Sequence, residues 1–120
     1  MKMKRISTKR AKATQIPAKV KKIVYERDNG LCVVCGRPGL PEAHFIPRSK
    51  GGLGIEQNVV TLCRECHRRF DQGDEDDMDY CGGIITSYLM EHYPDWNPKD
   101  LIYRKYGGAF NEINNEQPYD

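Results

Sequence analysis

Val20, Ile23, Val24 and Arg27 recur at helical spacing, and Pro17 stands where a first helical turn tolerates proline. The pattern predicts a helix over 17–27 with one stripe turned to the core. Asp28-Asn29-Gly30 ends it, Gly30 being suited to a left-handed backbone at a helix terminus. After the run 31–36 and a loop with Pro38, Gly39 and Pro41, residues 42–46 read as a short strand that Pro47 stops. Residues 49–54 form a glycine-rich loop with little side chain to order it. Val59-Val60-Thr61-Leu62 is a second short apolar run, and a helix follows from about Arg64 through Asp71. The acidic run 74–79 reads as a loop or a helix start. Ile84, Ile85, Tyr88 and Leu89 then share one face of a helix over about 79–93, which Pro94 breaks. Asn97-Pro98 caps a last short helix, 98–106, with Leu101 and Ile102 as its apolar side. Residues 1–15 carry no such periodicity and read as disordered, as does the polar tail after Gly107.

Composition changes this picture in two ways. With 120 residues and 38% hydrophobic content the core is modest, and a structural metal is the expected compensation. The net charge of +2 hides a strong asymmetry: residues 1–22 hold nine Lys or Arg and no acid, whereas residues 71–79 hold six acids and no base. Such a basic arm suits a polyanion such as nucleic acid; the plain alternative is a solubilising tail. No apolar run follows the basic start, so no secretory signal is expected, and the stretch near 84–90 is too short to span a bilayer. A cytoplasmic location follows, with reduced cysteines that favour metal over disulfides. The chain divides into a basic disordered arm (1–16), a cysteine-knuckle core (17–73), a helical extension (74–108) and a flexible tail (109–120). The extension crowds Tyr80, Tyr88, Tyr93, Trp96, Tyr103 and Tyr106, which suits a packed layer or an interface; the oligomeric state is not legible.

The chemistry lies in the core. Cys32/Cys35 and Cys63/Cys66 are two C-x2-C pairs separated by 27 residues, and two such turns aim four thiolates at one tetrahedral Zn2+. Cys81 is left over as a buried helical thiol. His44 and His67 are not needed for the zinc shell. On a helix His67 is turned by about 100° from Cys66 and faces a neighbouring surface, with Asp71 one turn on along the same face. A His and an Asp so placed form half a site for a divalent cation. Each residue also has an ordinary reading: a hydrogen-bonded core imidazole for His44, a turn residue for Asn58, a surface residue for His67, and a helix-end charge or a partner of Arg68 for Asp71. His92 is assigned no role.

The run 42–52 (EAHFIPRSKGG), then Asn58, then 62–67 (LCRECH), resembles the motif of the HNH endonucleases, with His44, Asn58 and His67 as its three named residues. The resemblance spans about Ile23 to Asp71 and is strongest to the small stand-alone HNH nucleases of bacteriophages and prophages. It implies an α+β fold of the ββα-metal type beside a structural zinc on Cys32, Cys35, Cys63 and Cys66, with extra flanking helices. It implies hydrolysis of phosphodiester bonds in double-stranded DNA, by nicking or cutting, with low sequence specificity. His44 would be the general base, a neutral imidazole whose other nitrogen is held by a backbone carbonyl. Asn58 would brace the loop between strand and helix, and His67 would bind the catalytic cation, Mg2+, Mn2+ or another divalent ion. Relatives of this kind often serve genome packaging beside the phage terminase. One position departs from the pattern. Family members usually place His or Asp just before the general base, where this chain has Ala43. The expected catalytic metal set is therefore His67 and Asp71, with Glu42 as the third candidate, so that Glu42→Ala should weaken metal-dependent cleavage. Arg48, Lys50, Arg64, Arg68 and Arg69 would hold backbone phosphates. The competing reading is a zinc-stabilised DNA-binding module without catalysis, and Ala43 is the feature in its favour.

Overall fold

A two-stranded antiparallel sheet and the helix that follows it carry the site, and the remaining helices wrap this unit. The computed structural model describes residues 8–105. In chain order they form α1 (Lys9–Thr14), α2 (Ala18–Arg27), β1 (Leu40–His44), β2 (Val59–Leu62), α3 (Arg64–Gln72) and α4 (Glu75–His92), with 3-10 turns at Arg48–Lys50 and Pro98–Leu101. The fold is α+β, as expected.

β1 pairs with β2 through Leu40–Leu62, Ala43–Val60 and His44–Val59, with an irregularity between Leu40 and Ala43. Pro41 sits in that gap, where a residue without an N–H cannot continue the ladder. The strand therefore covers 40–44 rather than 42–46. Phe45 still donates to the main-chain carbonyl of Asn58 (2.8 Å), but the next amide, that of Ile46, is taken by the Asn58 side chain (2.9 Å), which ends the pairing.

The core joins the sheet to α4. Ala43, Val60 and Leu62 pack with Ile85 and Leu89 of α4 and with the buried cysteines 32, 63 and 66. Phe45 stacks on Phe70 of α3 and meets the edge of Trp96. Cys81 is fully buried in α4, as the sequence suggested. α2 contributes Val24, wholly buried, and ends at an Asn29-Gly30 pair in the left-handed region. Ile23 does not join the stripe; it is 43% exposed. Arg27 instead reaches inward as a polar clamp, donating to the carbonyls of Glu56 (2.8 Å) and Val59 (2.9 Å) and pairing with Asp28. Asp28 accepts from the Thr61 amide of β2 and from the Tyr88 hydroxyl of α4. Burial acts to raise the Asp28 carboxyl, but the bonds from Arg27 and Tyr88 outweigh it and hold the group below its ordinary value.

Three expectations are corrected. Residues 9–14 are helical, not disordered: Thr8 caps α1 by accepting from the Ala11 amide (2.9 Å), and Thr14 is buried. α4 begins at Glu75, because Asp74 caps it through the Asp77 amide and the acids of its first turn suit the positive end of the helix dipole. The last helix is a single 3-10 turn. Beyond it Tyr103 donates to the Gly51 carbonyl (2.8 Å), as Leu53 does to Leu101 (2.8 Å), so the chain runs extended along the glycine loop instead. Residues 1–7, Tyr106 and the expected 109–120 tail lie outside the described residues. Among those residues no helix is long and apolar enough to cross a membrane.

Candidate active site and metal centre

The four cysteines of the two pairs come together as foreseen. Their sulfur atoms all lie within 4.8 Å of one another, and among the described residues this is the one group of three or more side chains placed to hold a metal ion. Local backbone builds the geometry. The Cys35 amide points at the Cys32 sulfur (3.5 Å), and Gly36 closes the turn with a left-handed backbone. On the other side Cys63 is the N-cap of α3 and accepts from the Cys66 amide (3.4 Å). Cys32, Cys63 and Cys66 are buried and Cys35 is exposed. The bare thiols differ accordingly: the Arg37 backbone bond pulls Cys35 down to about 6, whereas burial pushes Cys66 well up. Four thiols so close cannot all ionise without a cation among them, and a divalent tetrahedral ion meets that need.

The second constellation begins at His44, at the end of β1 and half-buried. Its Nε2 lies 2.8 Å from the carbonyl oxygen of Thr14. A carbonyl can only accept, so the ring proton is on Nε2 and Nδ1 carries the free lone pair. Burial lowers the imidazole below its ordinary value; the Thr14 bond and Asp71 act against this, while Arg48 and His67 reinforce it. The ring is therefore neutral near pH 7.

Asn58 is fully buried and braces the loop. Its Oδ1 accepts from the Ile46 amide, and its Nδ2 donates to the carbonyls of Ile46 (3.1 Å) and Leu53 (2.9 Å). Gly52 is required beside it: a Cβ there would come within 1.6 Å of the Ile46 carbonyl oxygen. Asn58 thus ties both ends of the 46–53 loop to the start of β2.

His67 and Asp71 sit one turn apart on the solvent-facing side of α3, with Nε2 and Oδ2 separated by 3.5 Å. Together with Arg64, Arg68 and Gln72 they line a shallow recess of about 220 Å3. Glu42 does not complete a cluster with them; it is surface-exposed and lies 3.9 Å from Lys21 of α2. Ala43 points into the core, 1% exposed, so the position before His44 faces away from any ion.

The five cationic side chains divide. Arg64 and Arg68 border the recess, Arg68 also pairing with Glu65 (3.4 Å), and Lys50 is exposed at the end of the 3-10 turn. Arg69 stands about 200° round the helix from His67. It is bonded to Asp77 of α4 (3.0 Å) and lies over the Tyr80 ring, so it struts two helices and does not border the recess. Arg48 is turned to α1, donating to Thr14 Oγ1 (3.2 Å) and the Ala11 carbonyl (3.3 Å). A backbone carbonyl on the His44 ring was expected, but that it belongs to Thr14 was not legible. A main-chain oxygen has no letter in the sequence, and the only hint was Thr8 as a cap before a run of helix formers.

A protein-family model described as HNH endonuclease matches residues 32–77. Two curated proteins are similar to part of the chain. One is the type IV methyl-directed restriction enzyme EcoKMcrA of Escherichia coli K12, 36% identical over 59 residues, which cover 41% of this chain and 21% of that enzyme. The other is anaredoxin of Nostoc sp. PCC 7120, 34% identical over 58 residues, which cover 47% of this chain and 76% of that protein. The match thus spans about a fifth of the restriction enzyme and three quarters of anaredoxin.

Proposed function

We propose that this chain, which belongs to the HNH endonuclease family, is a metal-dependent endonuclease that hydrolyses phosphodiester bonds in DNA, with His44 as general base. The observation that carries the proposal is the His44–Thr14 bond of 2.8 Å, which leaves a neutral Nδ1 free to accept a proton.

In this reading a water molecule gives its proton to His44 Nδ1 and attacks phosphorus, and the 3′ oxygen leaves on the opposite side, giving 5′-phosphate and 3′-hydroxyl ends. His67 and Asp71 offer one imidazole nitrogen and one carboxylate to a divalent cation, a donor pair that suits an ion keeping several waters, such as Mg2+ or Mn2+. That cation would supply Lewis-acid stabilisation of the charge developing on the leaving oxygen. Asn58 keeps the loop beside His44 in place. Arg64, Arg68 and Lys50 supply positive charge for the backbone phosphates on either side, positioning DNA without reading its sequence. Zn2+ in the four-cysteine cluster serves as the structural metal. A place in phage genome packaging beside the terminase extends the same reading.

The test is supercoiled plasmid with Mg2+ or Mn2+. Nicking by the wild-type chain that His44→Ala abolishes supports the enzyme. Tight DNA binding without nicking under either ion points to the second reading, a zinc-stabilised DNA-binding module, which is favoured by the pairing of Glu42 with Lys21 and the burial of Ala43.

A further inference from the structure

Two arginines reach in opposite directions between α1 and the loop after β1. Arg10 of α1 donates to the carbonyls of Arg48 (3.1 Å) and Ser49 (3.2 Å). Arg48 reaches back from the loop, through Nε to Thr14 Oγ1 (3.2 Å) and through Nη2 to the Ala11 carbonyl (3.3 Å). The Thr14 hydroxyl in turn donates to the Arg10 carbonyl (2.9 Å), which closes the circuit. Gly54 adds a backbone bond to the Ala13 carbonyl (2.9 Å) and lies so close that a Cβ there would stand 2.0 Å from the Gln15 oxygen. These contacts surround the one carbonyl that takes the ring proton of His44. A helix of six residues has little stability of its own, so its place is set by what it is bound to.

We propose that Arg48 is a positioning residue. With Arg10 as its counterpart it latches α1 against the loop, so that the Thr14 carbonyl selects the Nε2–H tautomer of His44 and leaves Nδ1 as the proton acceptor. Which imidazole nitrogen carries the proton is decided by the hydrogen bond the ring makes, and here that bond comes from a short helix tied to the loop by these side-chain and backbone contacts. The catalytic consequence rests on His44 being the general base; the tautomer itself does not. The assignment also separates Arg48 from a phosphate contact, because a latch acts on turnover and a phosphate contact acts on binding.

The full-length chain is compared with Arg48→Ala, Arg48→Lys and Arg10→Ala. Long-range 1H–15N spectra of the His44 ring are recorded above its titration range, alongside kcat and KM for plasmid nicking. The wild-type ring is expected as the single Nε2–H tautomer. Arg48→Ala should show a tautomer mixture, with kcat reduced roughly ten- to a hundredfold by loss of alignment and KM little changed. Arg48→Lys should recover part of both signals. Arg10→Ala should repeat the spectral change while leaving the Arg48 guanidinium in place. An unchanged tautomer in both alanine variants overturns the proposal, as does a raised KM with unchanged kcat in Arg48→Ala. If the wild-type chain does not nick at all, the nuclease reading fails and the spectra still decide the latch.

Discussion

The two ends of one short helix gather side chains able to bind a metal in opposite ways. At its start, Cys63 and Cys66 join Cys32 and Cys35 in a crowded set, three of the four buried and two of the sulfurs met by backbone amides. One turn further on, His67 and Asp71 offer two donors on an open face, with no third side chain gathered to them among the described residues. The first arrangement is saturated by protein and suits an ion that never leaves. In the proposed nuclease reading the second would leave most coordination positions to water and phosphate, which is what an ion that must meet a substrate requires. On that reading burial and donor count, more than the identity of any single ligand, would separate scaffold from chemistry.

The largest expected effect comes from breaking the closed set. Cys63→Ala removes a ligand and the cap of α3 together. Because apparent binding energies of structural zinc are on the order of 10 kcal/mol, the domain should lose its cooperative melt by circular dichroism. A variant that melts like the wild type without bound metal would end the contrast. His44→Ala should lower kcat by roughly 10² to 10⁴ with only a small fall in melting temperature, from the lost bond to the Thr14 carbonyl. At the open set, Asp71→Ala should raise the Mg2+ concentration needed for half-maximal cleavage by about tenfold, or ~1.4 kcal/mol, and leave the zinc content at that of the wild type.

The pH dependence sharpens the comparison further. Burial depresses the His44 imidazole, so its proton-accepting form persists to lower pH, and the acid limb of the rate profile should fall below about 6.5. The sign for folding follows. Between the depressed and the ordinary value the unfolded chain binds more protons at this group. Its contribution to stability is therefore complete above about 6.5 and declines as pH falls towards the depressed value. A limb centred above 6.5 would mean that another group controls the rate. The smallest effect belongs to Glu42→Ala. Its pairing with Lys21 is an exposed one, worth about 1 kcal/mol at most, and the Mg2+ dependence of cleavage should not move.

What the sequence disclosed followed how local each signal was. β2 and α3 stand where the run Val59–Leu62 and the C-x2-C-H step placed them, because an apolar run and a ligand spacing are complete within a few residues. The cysteine set was legible for the same reason. β1 shifted because Leu40 pairs with Leu62 across an irregularity at Pro41 and the Asn58 side chain takes the Ile46 amide, and the pairing partner of a strand is not written in the strand. α1 was missed because six residues of helix formers are too few to hold a helix alone, and the contacts from Arg48 and Gly54 that fix it come from far along the chain. Glu42 was not legible in the same way. Its spacing from His44 allows an approach to an ion, whereas in the structure its exposed carboxylate lies 3.9 Å from Lys21, on another element.

Cys63 has a consequence of its own. The same sulfur that belongs to the thiol cluster also starts α3, so the cluster sets the rotational phase of every later side chain on that helix. One residue inserted between Cys66 and His67 would swing the imidazole about 100° off its bearing while leaving both cysteine pairs intact. The step from the thiol cluster to the imidazole therefore behaves like a reading frame, set by the count of residues along the helix.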